Sequence, residues 1–171
     1  TGTKRFGLDG AESLIPALEQ IINEMDPANV EAHQALRRVA ESVEDWARVV
    51  AVAERHLALT TEPKERVARG LEIGWLYRER LSDPVKAARA FERVLEIEPE
   101  QSDALADLAT IYTEANDGER LIAVIEKLLA QAKEPEERRR LLFDMANAAE
   151  QMLKEPRRTF EYYRRAYHEQ P

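Results

Sequence analysis

Cysteine is absent from the 171 residues, which removes disulfide frameworks, thiolate metal sites and cysteine nucleophiles together. That absence does not decide a compartment, because chains of oxidising compartments can also lack cysteine. Glycine is scarce, with 6 residues, and neither a Gly-x-Gly-x-x-Gly loop nor a Gly-Lys-Ser/Thr loop occurs. His-Glu-x-x-His and Gly-x-Ser-x-Gly are missing as well. No apolar run approaches the roughly 20 residues needed to span a bilayer. The opening stretch from Thr1 to Gly7 lacks the apolar core of a signal peptide. Alternating runs of β-branched residues are also missing, and Asp117-Gly118 sits between helical patterns instead of between strands. Basic residues are the minority: 25 Lys and Arg face 33 Asp and Glu, a net charge of −8. Such a surface repels phosphate backbones and anionic lipid on average.

What remains is rich in Ala, Leu, Glu and Arg, with hydrophobic content of 44% and charged content of 34%. That mixture favours helix at almost every position. The length suffices to bury a core without metal or disulfide. An all-α fold follows.

A shift of 72 residues brings the sequence into register with itself. Pro27, Pro99 and Pro171 fall at that interval, and Glu62-Pro63-Lys64-Glu65-Arg66 falls on Glu134-Pro135-Glu136-Glu137-Arg138. Asp45-x-x-Arg48-x-x-Ala51-Val52-x-Glu54 meets Asp117-x-x-Arg120-x-x-Ala123-Val124-x-Glu126, and Leu81-x-x-Pro84 meets Leu153-x-x-Pro156. Internal periods of this kind mark stacked repeats. Each 72-residue block divides into two hairpins. Their first helices are expected at 32–42, 66–80, 103–115 and 138–152, their second helices at 46–59, 85–97, 119–132 and 157–168. A lone helix at 12–25 presents Leu14, Ile15, Leu18, Ile21, Ile22 and Met25 on one face. Asp45, Asp83, Asp117 and Glu155-Pro156 stand where helix starts need a cap or a proline. Pro27, Pro63, Pro99 and Pro135 are read as separators between hairpins. The domain reading is a linker or expression remnant over 1–11, then a single array over 12–171. The array comprises the lone helix and hairpins 29–62, 65–98, 102–134 and 137–171. It is read as a fragment of a longer protein.

Ile73-Gly74-x-x-Tyr77, followed by Ala87-x-x-x-Phe91 and Pro99, resembles the signature of the tetratricopeptide-repeat family. This hairpin carries one extra residue between its helices. Leu108-Ala109-x-x-Tyr112 with Leu121 and Ile125 is a looser match. The hairpins around Leu36, Val49 and Ala53, and around Met145-Ala146, Thr159 and Tyr163, are degenerate. The resemblance implies a right-handed α-solenoid of tandem antiparallel helical hairpins, with the first helices lining an inner face. It also implies small residues at helix crossings (Gly74, Ala87, Ala109, Ala146) and large ones between hairpins (Tyr77, Phe91, Tyr112, Tyr163).

The family resemblance points to an interaction scaffold or adaptor that binds a protein or peptide segment in a concave groove, and not to an enzyme. On the expected inner face stand Gln34 and Arg38, then Leu71, Trp75 and Arg78, then Thr110, then Arg140, Phe143 and Asn147. Trp75 and Arg78 are the residue types that anchor interfaces, and the packing signature does not ask for an aromatic at Trp75. Trp46, near a loop, is read as structural. Lys is missing from this face, so a chaperone-tail clamp is not expected. Arg138-Arg139-Arg140, Arg157-Arg158 and Arg164-Arg165 make the last hairpin locally basic, either as a solvated surface or toward an acidic partner segment. His33, His56 and His168 are assigned to different hairpins, His56 packed and the other two at the surface, with no metal role. No cofactor, nucleic-acid partner or membrane partner is expected. Self-association through uncapped ends, by way of Phe160, Tyr163 and Tyr167, is a further expectation. The alternatives are an RNA-binding helical-repeat module, which the overall charge opposes, and a regulatory or assembly segment of a larger protein. Abundant Arg and Ala suggest a bacterial source, and the cytoplasm is favoured.

Overall fold

The computed structural model describes residue 10 and residues 13–26 and 29–169. The expected linker other than Gly10, together with Pro27 and Pro171, lies outside the described residues. Among these, nine helices follow one another and no strand forms. They are α1 (15–25), α2 (Val30–Ser42), α3 (Trp46–Leu59), α4 (63–80), α5 (Pro84–Ile97), α6 (Ser102–Glu114), α7 (Gly118–Gln131), α8 (135–153) and α9 (Pro156–His168). They pair as antiparallel hairpins.

Helix starts obey local chemistry. The side-chain oxygens of Asp45, Asp83 and Asp117 accept from the backbone N–H groups of Arg48, Lys86 and Arg120 at 3.0, 3.0 and 3.2 Å. Each cap contributes about 1 kcal/mol. Asn29 does the same for Ala32 at 2.8 Å. Pro63 and Pro135 stand between hairpins, as their positions suggested. They are the first residues of α4 and α8, where proline's missing N–H costs nothing. Glu155 offers no side-chain cap, and Pro156 opens α9 instead.

The 72-residue period is written into the backbone. Four non-glycine residues take left-handed φ values: Glu44 at 59°, Ser82 at 50°, Asn116 at 55° and Lys154 at 56°. Glu44 and Asn116 are equivalent under the shift, as are Ser82 and Lys154. Helix-ending bonds repeat too. Asp45 N–H reaches Ala40 O and Asp117 N–H reaches Tyr112 O, both at 2.9 Å. Asp83 N–H reaches Tyr77 O at 2.9 Å, and Glu155 N–H reaches Ala149 O at 3.0 Å. The extra residue noted in the best-matching hairpin is absorbed by widening the last turn of α4, Leu76–Arg80, into a π-helical turn. The last turn of α8, Ala149–Leu153, widens in the same way. In hairpins α2–α3 and α6–α7 the connection between the helices is one residue shorter, and no such turn forms.

The chain forms two compact units, Thr1–Ala90 and Phe91–Pro171. In the first, Ile15 and Ile22 of α1 join Ala32, Leu36 and Val52 in one core, with Leu18 and Ile21 partly buried against it. Leu14 and Met25, expected on that face, are exposed. Tyr77 of α4 donates its hydroxyl to Glu54 of α3 at 2.8 Å, and Arg80 lies over the Trp46 ring at 4.4 Å. In the second unit the core is built on Leu105, Leu108, Ile122, Leu142 and Met145. Tyr112 of α6 donates to Glu92 of α5 at 2.6 Å. Arg138 gathers three helix ends. Its guanidinium donates to the Leu129 and Ala132 carbonyls at 3.0 and 3.3 Å and to Glu169 at 2.8 and 2.9 Å. A cation there complements the C-terminal dipole of α7.

The crossing positions are occupied much as the repeat pattern requires. Gly74, Ala87 and Ala146 are buried and Ala109 partly so, while Tyr77, Phe91 and Tyr112 are buried. In α9 it is Tyr162 that is buried, and Tyr163 stands half-exposed.

Candidate functional site

The first helices α2, α4, α6 and α8 each leave a stripe in solvent. In the first unit Gln34 and Arg38 are exposed. Trp75 of α4 is 41% exposed, and Arg78, one turn on, pairs with Glu79 at 2.8 Å. Leu71 does not belong to this face. It is 7% exposed and sits in the core with Val67, Ile73 and Gly74. An apolar stripe wider than two positions per turn reaches it, so burial takes precedence over its place in the period.

In the second unit the stripe becomes a cleft. Thr110 and Thr113 of α6 form one wall, Asp144 and Asn147 of α8 the other, and Leu121, Ile125 and Leu128 of α7 the floor, around about 570 Å³. The threonine hydroxyls donate to their own helix, Thr110 to Ala106 O at 3.1 Å and Thr113 to Ala109 O at 2.7 Å. With their protons committed, these hydroxyls can serve a ligand only as acceptors. Burial pushes the Asp144 carboxyl above the usual carboxylate range, against the opposing pull of Arg140. An apolar floor between polar walls is what a bound side chain needs in order to be both desolvated and oriented.

Arg140 and Phe143 turn away from that cleft to a neighbouring one of about 480 Å³ between α8 and α9. There the Phe143 ring meets Tyr163 at 5.8 Å with a 60° tilt. The Tyr163 hydroxyl donates to Asn147 Oδ1 at 3.3 Å. The expected site residues thus divide into four groups, with Gln34, Arg38, Trp75 and Arg78 on the first helices of the first unit. Thr110 and Asn147 share one cleft, Arg140 and Phe143 share another, and Leu71 is core. Sequence reading missed Asp144, Gln151 and Met152, although Asp144 and Gln151 are each four residues along α8 from residues already on the face, Arg140 and Asn147.

The histidines need correction. His33 and His56 belong to the two helices of one hairpin, α2 and α3. His33 is buried, and its ring stacks on His56 with centroids 6.2 Å apart and a 24° interplanar angle. Partial burial lowers the His56 pKa, with Arg69, His33 and Arg37 acting in the same direction and Glu65 opposing. The folded chain therefore prefers the uncharged ring. Stability from this group is complete above the ordinary value of 6.5 and falls as pH drops through that value, because the unfolded chain binds the proton more readily. The urea midpoint should fall more between about pH 7.5 and 5.5 in the natural chain than in His56→Gln. Equal drops would refute the assignment.

Among the described residues, no group of three His, Cys, Asp or Glu side chains is arranged to hold a metal ion. No helix there is long and apolar enough to cross a membrane.

Hairpins that recur at a fixed interval, each burying the same helix faces, define an α-helical repeat protein. Two tetratricopeptide-repeat models match, one over residues 32–67 and the other over residues 80–142. The chain is a degenerate, tetratricopeptide-like tandem array. Among solved structures, that of MamA is similar at 18% identity and a TM-score of 0.55, covering 98% of this chain and 92% of that one. At this identity the likeness concerns the fold alone. A 21-residue stretch is 90% identical to the 2-oxoglutarate dehydrogenase E1 components of Brucella anthropi and Brucella ovis. The match covers 12% of this chain and 2% of the length of those relatives.

Proposed function

We propose that this chain is a protein-interaction scaffold and that the α6–α8 cleft holds a segment of a partner protein. The observation that carries this reading is the cleft's composition: an apolar α7 floor between walls bearing Thr110, Thr113 and Asn147. The polar walls supply acceptors and an amide, groups suited to the backbone and side chains of an extended or helical segment. Exposed Trp75 beside Arg78 on the first unit offers a second anchor of the kind enriched at binding hot spots.

Capture experiments test the reading directly. A Thr110→Arg, Asn147→Arg double variant places two long cations over the floor without touching the core. Its far-UV circular dichroism should match the natural chain, while partner retained on immobilised protein falls at least about tenfold. A Trp75→Ala, Arg78→Glu variant should weaken retention less. Undiminished capture by the cleft variant would remove this cleft from consideration.

A further inference from the structure

The α8–α9 face carries an uneven charge pattern. Arg138 and Arg158 are held, the first by Glu169 and the second by Glu119 and Glu155. Arg139, Arg140, Arg157 and Arg164 make no ion pair among the described residues. The same two helices carry exposed rings: Phe143 on α8, and Phe160 and Tyr167 on α9, are 42, 67 and 68% exposed. Helical spacing puts Arg157, Phe160, Arg164 and Tyr167 on one side of α9. Glu136 is the sole carboxylate among the residues lining the α8–α9 cleft. In a chain of net charge −8, Arg139 and Arg140 in the wall of an aromatic furrow with one lining carboxylate, and Arg157 and Arg164 along α9, are a local reversal of sign.

The units themselves show how such furrows are filled. Helix packs on helix, as α1 does on α2, α4 on α3 and α8 on α7. We propose that the α8–α9 face docks an acidic amphipathic helix of a partner protein. Carboxylates of the partner meet Arg139, Arg140 and Arg164 as charge-assisted, bidentate pairs. Its apolar side chains pack on Phe143, Tyr163 and Tyr167. The face is separate from the α6–α8 cleft, so this inference does not rest on the reading of that cleft.

The probe is a labelled synthetic amphipathic helix of Glu, Leu and Phe, paired with a version carrying Lys in place of Glu. Anisotropy with the full chain should show the Glu helix bound about tenfold or more tightly than the Lys helix, with affinity falling as salt rises. Arg139→Glu with Arg140→Glu should lower affinity about tenfold, and Arg164→Glu from the opposite helix should act in the same direction. Thr110→Arg, on α6 and in the other cleft alone, should leave it unchanged, which separates this face from the cleft. Equal binding of the two helices would overturn the proposal, as would indifference to the arginine variants. Sedimentation showing the chain pairing with itself, in a manner abolished by Arg139→Glu with Arg140→Glu, would assign the face to a second copy and overturn it equally.

Discussion

Leu142→Ala should destabilise the second unit by about 2–5 kcal/mol while leaving the first nearly intact. Leu142 is fully buried in α8, so truncation loses transfer energy and leaves a cavity that close-packed neighbours fill only in part. Both tryptophans, Trp46 and Trp75, lie in Thr1–Ala90, so indole fluorescence reports the first unit, whereas circular dichroism reports every helix. In urea, Leu142→Ala should lose ellipticity before fluorescence changes. Leu36→Ala, in the core of the first unit, should reverse that order. Repeat arrays draw their stability from nearest neighbours, so a local lesion need not spread. Superimposed transitions in both variants would mean that the two units melt as one cooperative block.

Gly118→Trp is the second large effect, and it separates the repeat from the structure. Under the 72-residue shift Gly118 is the counterpart of Trp46, so the duplication alone would allow an indole there. The first copy makes room for it, with Arg80 laid over the ring. In the second copy the equivalent space is filled by the end of α8. Even a Cβ on Gly118 would meet Leu153 Cδ2 and Met152 Cβ at 2.9 Å. Met152 Cβ is fixed to the backbone and cannot swing away. Overpacking of this kind costs about 1–3 kcal/mol and at times more, and Trp should lie at the upper end. Gly118→Ala should cost less, because the gain in helix propensity offsets part of the clash. Leu153→Ala should recover part of that smaller loss by removing one of the two obstacles. Thermal melts of the natural chain and the three variants check the order, and a Gly118→Trp protein as stable as the natural one would contradict the packing described here.

The same pair of positions shows how far sequence reaches. Helix starts were legible because they depend on residues a few positions apart. Asp45, Asp83 and Asp117 cap their own next turn, and prolines can stand only where no N–H is needed. Helix faces were legible for the same reason: Ile15 and Ile22, or Ala87 and Phe91, repeat at the helical period. The exposed stripe of α6 and α8 follows from that period, and Thr110 and Asn147 fall where it places them.

Contacts between elements were not legible. Leu71 lies on the same period as Trp75, yet one is core and the other is in solvent, because the width of the buried stripe depends on the helix laid against it. His33 and His56 look unrelated in the chain and stack only because α2 and α3 run antiparallel. Arg140 and Phe143 were grouped with Thr110 and Asn147, but the turn of α8 aims them at α9. The order of the helices and the chemistry of their ends were therefore determined by the sequence alone, since both rest on local hydrogen bonding and periodicity. Which side chains share a cleft was decided only by tertiary structure, because shared volume depends on neighbours far along the chain.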